Sequence, residues 1–113
     1  MPWVRVVLAI LASGVFGPHA AFAASAENGK RVFMRAGCWQ CHGTVGQGGA
    51  AGPRIAPDPL PYETLAAFVR TTNRAMPPYR EAVLSNDELA DIYAYLASIP
   101  KPPAAGSLPL LKP

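Results

Sequence analysis

The sequence feature that most constrains this chain is Cys38-Trp39-Gln40-Cys41-His42, which contains both cysteines and one of the two histidines among 113 residues. Two cysteines cannot build a disulfide-rich scaffold. A Cys-x-x-Cys-His motif is typical of covalent haem attachment, in which two thiols add to the two vinyl groups and the next residue faces the iron. The motif therefore predicts one c-type haem attached at Cys38 and Cys41, with His42 as an axial ligand.

Three other interpretations of the motif compete with haem attachment. A redox-active cysteine pair expects a preceding strand in a βαβ setting, whereas the residues before Cys38 have a helical pattern. A structural zinc site needs four ligands, and the motif supplies three. A disulfide between Cys38 and Cys41 suits an oxidising compartment but gives His42 no role. Haem attachment is therefore the interpretation that uses every residue of the motif.

The first 23 residues have the pattern of a secretory signal. Arg5 supplies a positive start, residues 6–16 are largely apolar, and Ala21-Phe22-Ala23 offers a small-x-small cleavage site. The apolar run is short for a membrane span, which needs about 20 residues. We expect a cleaved signal over 1–23, a periplasmic mature protein and no membrane span in the mature chain. An uncleaved anchor is the alternative.

Charge and size limit the partners and the kind of core that the sequence predicts. The chain has 10 basic and 7 acidic residues, a net charge of +3, without a basic stripe, and so does not predict a nucleic-acid partner. Without the signal, about 90 residues would remain. A domain of that size is marginal on hydrophobic burial alone and often needs a cofactor, metal or disulfide. A haem would supply the missing part of the core.

Apolar spacing predicts an all-α fold of three to four helices. The first predicted helix covers 25–36, with Ser25 as its N-cap. The second begins at Pro61, a residue that suits the first helical position, and ends near 72 or 73. The third covers 86–98, begins with the Ser85-x-x-Glu88 capping box and is stopped by a proline. Each helix has an apolar stripe, and no strand alternation is present.

The segments between and after these helices are rich in glycine and proline. Residues 43–61 are predicted to form a long loop. Loops of this length are usually functional or disordered. Met76-Pro77-Pro78-Tyr79 cannot be helical, because a residue before proline is pushed to extended geometry. Residues 100–113 predict an extended tail.

Two methionines of the mature chain compete for the second axial position of the iron. Met34 lies one turn before Cys38, on the segment leading to the histidine side of the haem, and reaches the opposite face poorly. Met76 lies 34 residues beyond His42 on a stretch stiffened by two prolines. A thioether ligand raises the reduction potential of haem iron. We therefore predict Met76 as the second ligand, which leaves no open position for a substrate and favours electron transfer.

Taken together, these residues resemble a class I monohaem cytochrome c of the bacterial periplasm, of the short type. The resemblance covers essentially the whole mature domain. It is carried by the motif at 38–42 and by residues in the two outer helices and the loops: Gly29, Phe33, Gly52-Pro53, Met76-Pro77-Pro78 and Tyr95-Leu96. The chain then divides into a signal over 1–23, a cytochrome c domain over 24–99 and a proline-rich tail over 100–113.

The resemblance implies a fold in which the first and last helices cross. Gly29 would allow their close approach, and Phe33 would pack near Tyr95. The short step from His42 to Met76 implies that one peripheral helix of the longer type is missing.

The resemblance also implies two further residues at the haem. The Pro53 carbonyl would accept a hydrogen bond from His42 Nδ1, which would fix the ring and raise its basicity as a ligand. Arg54 would reach a haem propionate, although a solvated arginine is an equal alternative.

The implied function is that of an electron carrier and not an enzyme, in which the iron cycles between ferric and ferrous with both ligands kept. The expected partners are redox proteins: a periplasmic dehydrogenase as donor, and a terminal oxidase, another cytochrome or a different acceptor. Arg70, Arg74 and Arg80 flank the Met76 segment and either steer an acidic partner or are scattered solvated charges.

Two alternatives of other classes remain open. The chain is a haem-binding subunit of a larger oxidoreductase complex if its proline tail docks on an enzyme. It is a catalytic or gas-binding haem protein if Met76 is not a ligand.

Overall fold

The computed structural model describes residues 23–111, so nearly all of the predicted signal lies outside the described residues. The described helices are α1 (Ala26–Arg35), α2 (Trp39–His42), α3 (Tyr62–Thr71) and α4 (Asn86–Ser98). Two 3-10 turns follow in the tail, at Ala105–Ser107 and Pro109–Leu111. No strand occurs within residues 23–111. The predicted all-α fold is confirmed.

The centre of the fold is the crossing of α1 and α4, the most extensive contact between any two helices described. Gly29 is buried at the crossing, and a Cβ at this position would collide with the Asp91 carbonyl oxygen. One turn further on, the rings of Phe33 and Tyr95 meet edge to face with centroids 5.6 Å apart. Both contacts agree with the expectations from the resemblance.

Polar groups fix the N-terminal ends of the two crossing helices. Ser25 caps α1 by accepting a hydrogen bond from Asn28 N at 3.1 Å. The buried Asp91 carboxylate of α4 accepts hydrogen bonds from Ser25 N and Asn28 Nδ2, both at 2.6 Å. These bonds hold the Asp91 pKa below its usual range, because they favour the charged form. The Ser85–Glu88 capping box predicted for α4 is present.

α3 is attached to the rest of the fold in a different manner. It makes only a sparse contact with α4, and Leu65, Phe68 and Val69 face a cavity instead. The loop at 43–61 has no helix, as predicted. It folds back on itself where Ile55 N and Ala56 N both donate to the Gly46 carbonyl. Much of this side of the molecule therefore encloses a space and is not packed against another helix.

Two elements differ from the sequence-based expectations. The four-residue helix α2 was not predicted, because it is too short to show an apolar period. It begins four residues after the end of α1, and Gly37 at φ 81° turns the chain between the two helices. The tail was expected to be extended but contains two 3-10 turns, and Lys101 pairs with Asp58 at 3.1 Å near its start. Among residues 23–111, no helix has both the length and the apolar character to cross a membrane.

Candidate haem site

The candidate haem site consists of two adjoining cavities between the α1–α4 core, α3 and the loops. Their volumes are about 420 and 370 Å³, within the range of about 300–1,000 Å³ found for ligand pockets. Apolar side chains form most of the lining of the larger cavity. Six residues line both cavities: Cys38, His42, Pro53, Phe68, Met76 and Tyr79. Such a site can enclose a large, mostly apolar group and exclude water from it.

Cys38 is the N-cap residue of α2, and Cys41 lies within that helix. Cys38 is half-buried and lines both cavities, while Cys41 is exposed and lines the smaller one. Both are free thiols and are not bonded to each other. Burial raises the pKa of the Cys38 thiol, so the uncharged form faces the cavity. In the described part of the chain, no three His, Cys, Asp or Glu side chains gather as a metal ion would require.

His42 is buried at the end of α2, with 8% of its surface exposed. Its Nδ1 lies 2.8 Å from the Pro53 carbonyl oxygen. Because a carbonyl oxygen only accepts, Nδ1 carries the proton and donates, which leaves Nε2 as the ring nitrogen available to bind iron. The hydrogen bond that the resemblance implied is therefore present.

Met76 lies on the same cavity walls as His42, and Met34 does not. Met76 is half-buried and lines both cavities. Its carbonyl accepts a weak hydrogen bond from Thr72 Oγ1 at 3.4 Å. Met34 is 37% exposed on α1 and lines neither cavity. The structure thus brings together the histidine and the methionine that the sequence singled out.

The arginines near the site have different surroundings. Arg54 is exposed and lines the larger cavity, and its contact with a propionate stays a prediction. Arg74 lines the smaller cavity, and Arg80 is exposed. Arg70 differs from the expectation of a steering charge, because it is half-buried and donates to the Tyr79 and Leu84 carbonyls at 2.8 and 2.7 Å. Its guanidinium is therefore occupied by hydrogen bonds within the fold.

Tyr79 and Phe68 were not identified as site residues from the sequence. The Tyr79 hydroxyl donates to the Ala36 carbonyl at the end of α1 at 2.8 Å. Burial, reinforced by the nearby Cys38 and Cys41, raises the pKa of the Tyr79 phenol, which keeps its proton for this bond. Phe68 is 48% exposed yet lines both cavities. The one indication in the sequence concerned Tyr79, which is an aromatic residue directly after the two prolines.

Comparison with known proteins identifies the family of this chain. Residues 24–96 match the family model described as cytochrome C oxidase, cbb3-type, subunit III. The cytochrome bc1 complex cytochrome c subunit of Corynebacterium diphtheriae is 34% identical over 86 residues, which is 74% of this chain and 30% of that relative. The chain therefore corresponds to less than a third of the relative's length. No solved structure matches the chain with comparable significance.

The family match covers well over half of the chain, and the protein belongs to this family of c-type cytochromes. It is a monohaem cytochrome c with a covalently bound c-type haem. The residues fit this cofactor, because two thiols and an imidazole with an available Nε2 line two adjoining, largely apolar cavities.

Proposed function

We propose that this cytochrome is a periplasmic electron carrier whose haem is attached at Cys38 and Cys41 and ligated by His42 and Met76. It takes electrons from a periplasmic dehydrogenase and passes them to a terminal oxidase or another acceptor. The observation that carries the proposal is that both proposed ligands line the same cavities as Cys38.

Each residue of the site has a defined task in this proposal. The Pro53 carbonyl holds the His42 ring in one orientation and one tautomer through the 2.8 Å contact. The prolines after Met76 limit the freedom of its segment. The Arg54 guanidinium balances the charge of the propionates. The haem supplies one-electron chemistry, and the surrounding side chains set its potential through ligand identity and burial.

The second axial ligand decides between a carrier and an enzyme. With His42 and Met76 both bound, no coordination position is open to oxygen, peroxide or a substrate. The protein then has no catalytic residue of its own.

The exposed edge of the site supplies the contact with redox partners. Gln40, Cys41 and Pro77 are exposed and line the smaller cavity. An electron therefore has a short path to the surface at this edge. Arg74 and Arg80 are the arginines left to steer an acidic partner, and a transfer rate that does not change with ionic strength would exclude that role.

Substitution of Met76 tests the proposed ligation. Met76→Ala should convert the ferric spectrum from low-spin to high-spin and lower the midpoint potential, because a thioether ligand is lost. Met34→Ala is the matched control and should leave both unchanged, since Met34 lies outside the cavities. A Met76→Ala protein with the wild-type ferric spectrum would instead support a catalytic or gas-binding haem protein.

The proposed location is tested separately. Expression of the full chain with a haem-attachment system, followed by cell fractionation and N-terminal sequencing, should give a periplasmic protein that begins near residue 24. A holoprotein that keeps its first residues and stays with the membranes would support the uncleaved anchor.

A haem-binding subunit of a larger oxidoreductase complex is the second candidate function. It is favoured by the names that the comparisons carry: the family is described as an oxidase subunit, and the relative as a subunit of a cytochrome bc1 complex. Purification from the native source would distinguish the two, because a carrier elutes alone. If the tail docks the chain on its enzyme, deletion of residues 100–113 should abolish the complex and leave the haem spectrum intact.

A further inference from the structure

Arg70 in the last turn of α3 is connected to both ends of the chain segment between the proposed Met76 ligand and α4. Its Nη1 donates to the Tyr79 carbonyl at 2.8 Å and to the Leu84 carbonyl at 2.7 Å. Its Nη2 donates to Asn86 Oδ1 at 2.8 Å. A guanidinium is a planar fork with fixed donor directions, so it holds these three acceptors in one geometry.

The segment that Arg70 bridges has little other internal structure. Between residues 79 and 84, its backbone bonds are the turn formed by Val83 N and Leu84 N donating to the Arg80 carbonyl. It has no helix. The bonds from Arg70 are charge-assisted and therefore stronger than those between neutral groups. Arg70 thus supplies a large share of the polar contacts that fix this segment.

Tyr79 is the residue that Arg70 contacts and that also lines the cavities. Its backbone N donates to the Val69 carbonyl at 2.9 Å, its hydroxyl donates to the Ala36 carbonyl, and its carbonyl is held by Arg70. Two prolines separate Tyr79 from Met76 and limit the angles available between them. A displacement of Tyr79 is therefore transmitted to Met76.

We propose that Arg70 is the positioning residue for Met76: its guanidinium braces the segment from Tyr79 to Leu84 and so holds the methionine sulfur at the iron. This inference rests on the proposed ligation by Met76. Arg70 lines neither cavity, so it would act on Met76 through the loop and not by contact with the haem. Its effect is on the population of a state in which the sulfur has left the iron.

Imidazole is a suitable probe of that state, because it binds ferric iron only where the methionine has dissociated. The experiment uses full-length holo-cytochrome and follows imidazole binding by the visible spectrum. Arg70→Met keeps the length of the side chain but removes its donors, and we expect about tenfold tighter imidazole binding, equivalent to about 1.4 kcal/mol. Arg70→Lys retains the charge without the fork and should bind imidazole with an intermediate affinity. Arg80→Met removes the same charge from an exposed site and should match the wild type.

A residue that only stabilised the fold would give another result. Its loss would lower the urea midpoint of the holoprotein without changing imidazole affinity under conditions where the protein is fully folded. Wild-type imidazole affinity in both Arg70 variants would therefore overturn the proposal. If Arg70→Met yields no holoprotein, the affinity of Arg70→Lys decides alone.

A Met76→Ala protein separates failure of this inference from failure of the proposed function. If it binds imidazole far more tightly than the wild type while both Arg70 variants do not, Met76 is a ligand and only the positioning role is wrong. If Met76→Ala and the wild type bind imidazole equally, the proposed ligation is wrong, and the positioning role falls with it.

Discussion

The crossing of α1 and α4 and the cavity wall, formed by α3 and the loops at 43–61 and 72–85, are stabilised by different partners. At the crossing, protein packs on protein. Most of the buried apolar side chains lie there: Val32, Phe33, Leu89, Ile92, Tyr95 and Leu96. Four of these also line the larger cavity: Phe33, Leu89, Ile92 and Leu96. The cavity wall contributes few such residues, and its apolar side chains face the haem site.

We therefore expect the crossing to be specified mainly by the chain itself and the cavity wall to be completed by the cofactor. A haem bound in the cavities would give these side chains the dispersion contacts that the wall lacks by itself. The predictions below separate the two regions, beginning with the largest expected effect.

Loss of haem attachment should have the largest effect. A double variant, Cys38→Ala with Cys41→Ala, should give a largely unfolded apoprotein, because the cavity wall then has nothing to pack on. Far-UV circular dichroism should show reduced helix content, and thermal unfolding should lose its cooperativity. Helical signal that remains should come from α1 and α4. A compact, protease-resistant apoprotein would contradict the dependence of the cavity wall on haem.

The crossing itself should be sensitive to one methyl group. Gly29→Ala places a Cβ against the Asp91 carbonyl oxygen, and overpacking of this kind costs about 1–3 kcal/mol. The better helix propensity of alanine offsets at most about 1 kcal/mol. Urea unfolding of the holoprotein should therefore show a net loss of about 2 kcal/mol.

Gly106→Ala is the matched control for this substitution. A Cβ at Gly106 has no neighbouring atom within 4 Å, so the free energy of unfolding should change by less than about 0.5 kcal/mol. Equal stability of the two alanine variants would show that the helices can separate at the crossing without cost.

The buried carboxylate at the crossing should contribute a similar amount of stability, which depends on pH. Asp91→Ala removes two hydrogen bonds to a charged group, and we expect a loss of about 2 kcal/mol at neutral pH. Because the pKa of Asp91 is lowered in the folded state, this stabilisation is complete above the ordinary aspartate pKa of about 3.9. It is lost as the pH falls below that value towards the folded-state pKa.

The measurement is urea unfolding of the holoprotein at several pH values. The difference between wild type and Asp91→Ala should shrink in acid. Glu27→Ala is the control, since Glu27 makes an exposed ion pair with Arg31 in α1, worth about 0.5 kcal/mol. If Asp91→Ala changes the free energy of unfolding no more than Glu27→Ala does, the Asp91 carboxylate does not stabilise the crossing.

Prediction from the sequence was most accurate where the information is local. α4 was predicted at its observed bounds, because its apolar period and the Ser85–Glu88 box act within neighbouring turns. α1 and α3 were predicted to within a residue or two. The cysteine motif predicted the haem, which the family match confirms. Assignment of His42 and Met76 as iron ligands stays a prediction, although both line the cavities.

The residues that the sequence did not reveal are those whose contacts are distant along the chain. Arg70 looked like one of three similar surface charges, and only the fold shows that the Tyr79 and Leu84 carbonyls point at it. Tyr79 joins the end of α1 to a loop 43 residues away. No period or spacing encodes such contacts, since they depend on where two loops meet.

The sequence by itself determined the attachment chemistry, the number of haems and the limits of the longer helices, because each depends on residues within a few positions of one another. The tertiary structure decided which methionine lies in the cavities, which arginine braces the loop and where the Pro53 carbonyl meets His42. Those outcomes follow from the crossing of α1 and α4, which fixes the ends of the loops, and so brings their hydrogen-bonding groups together.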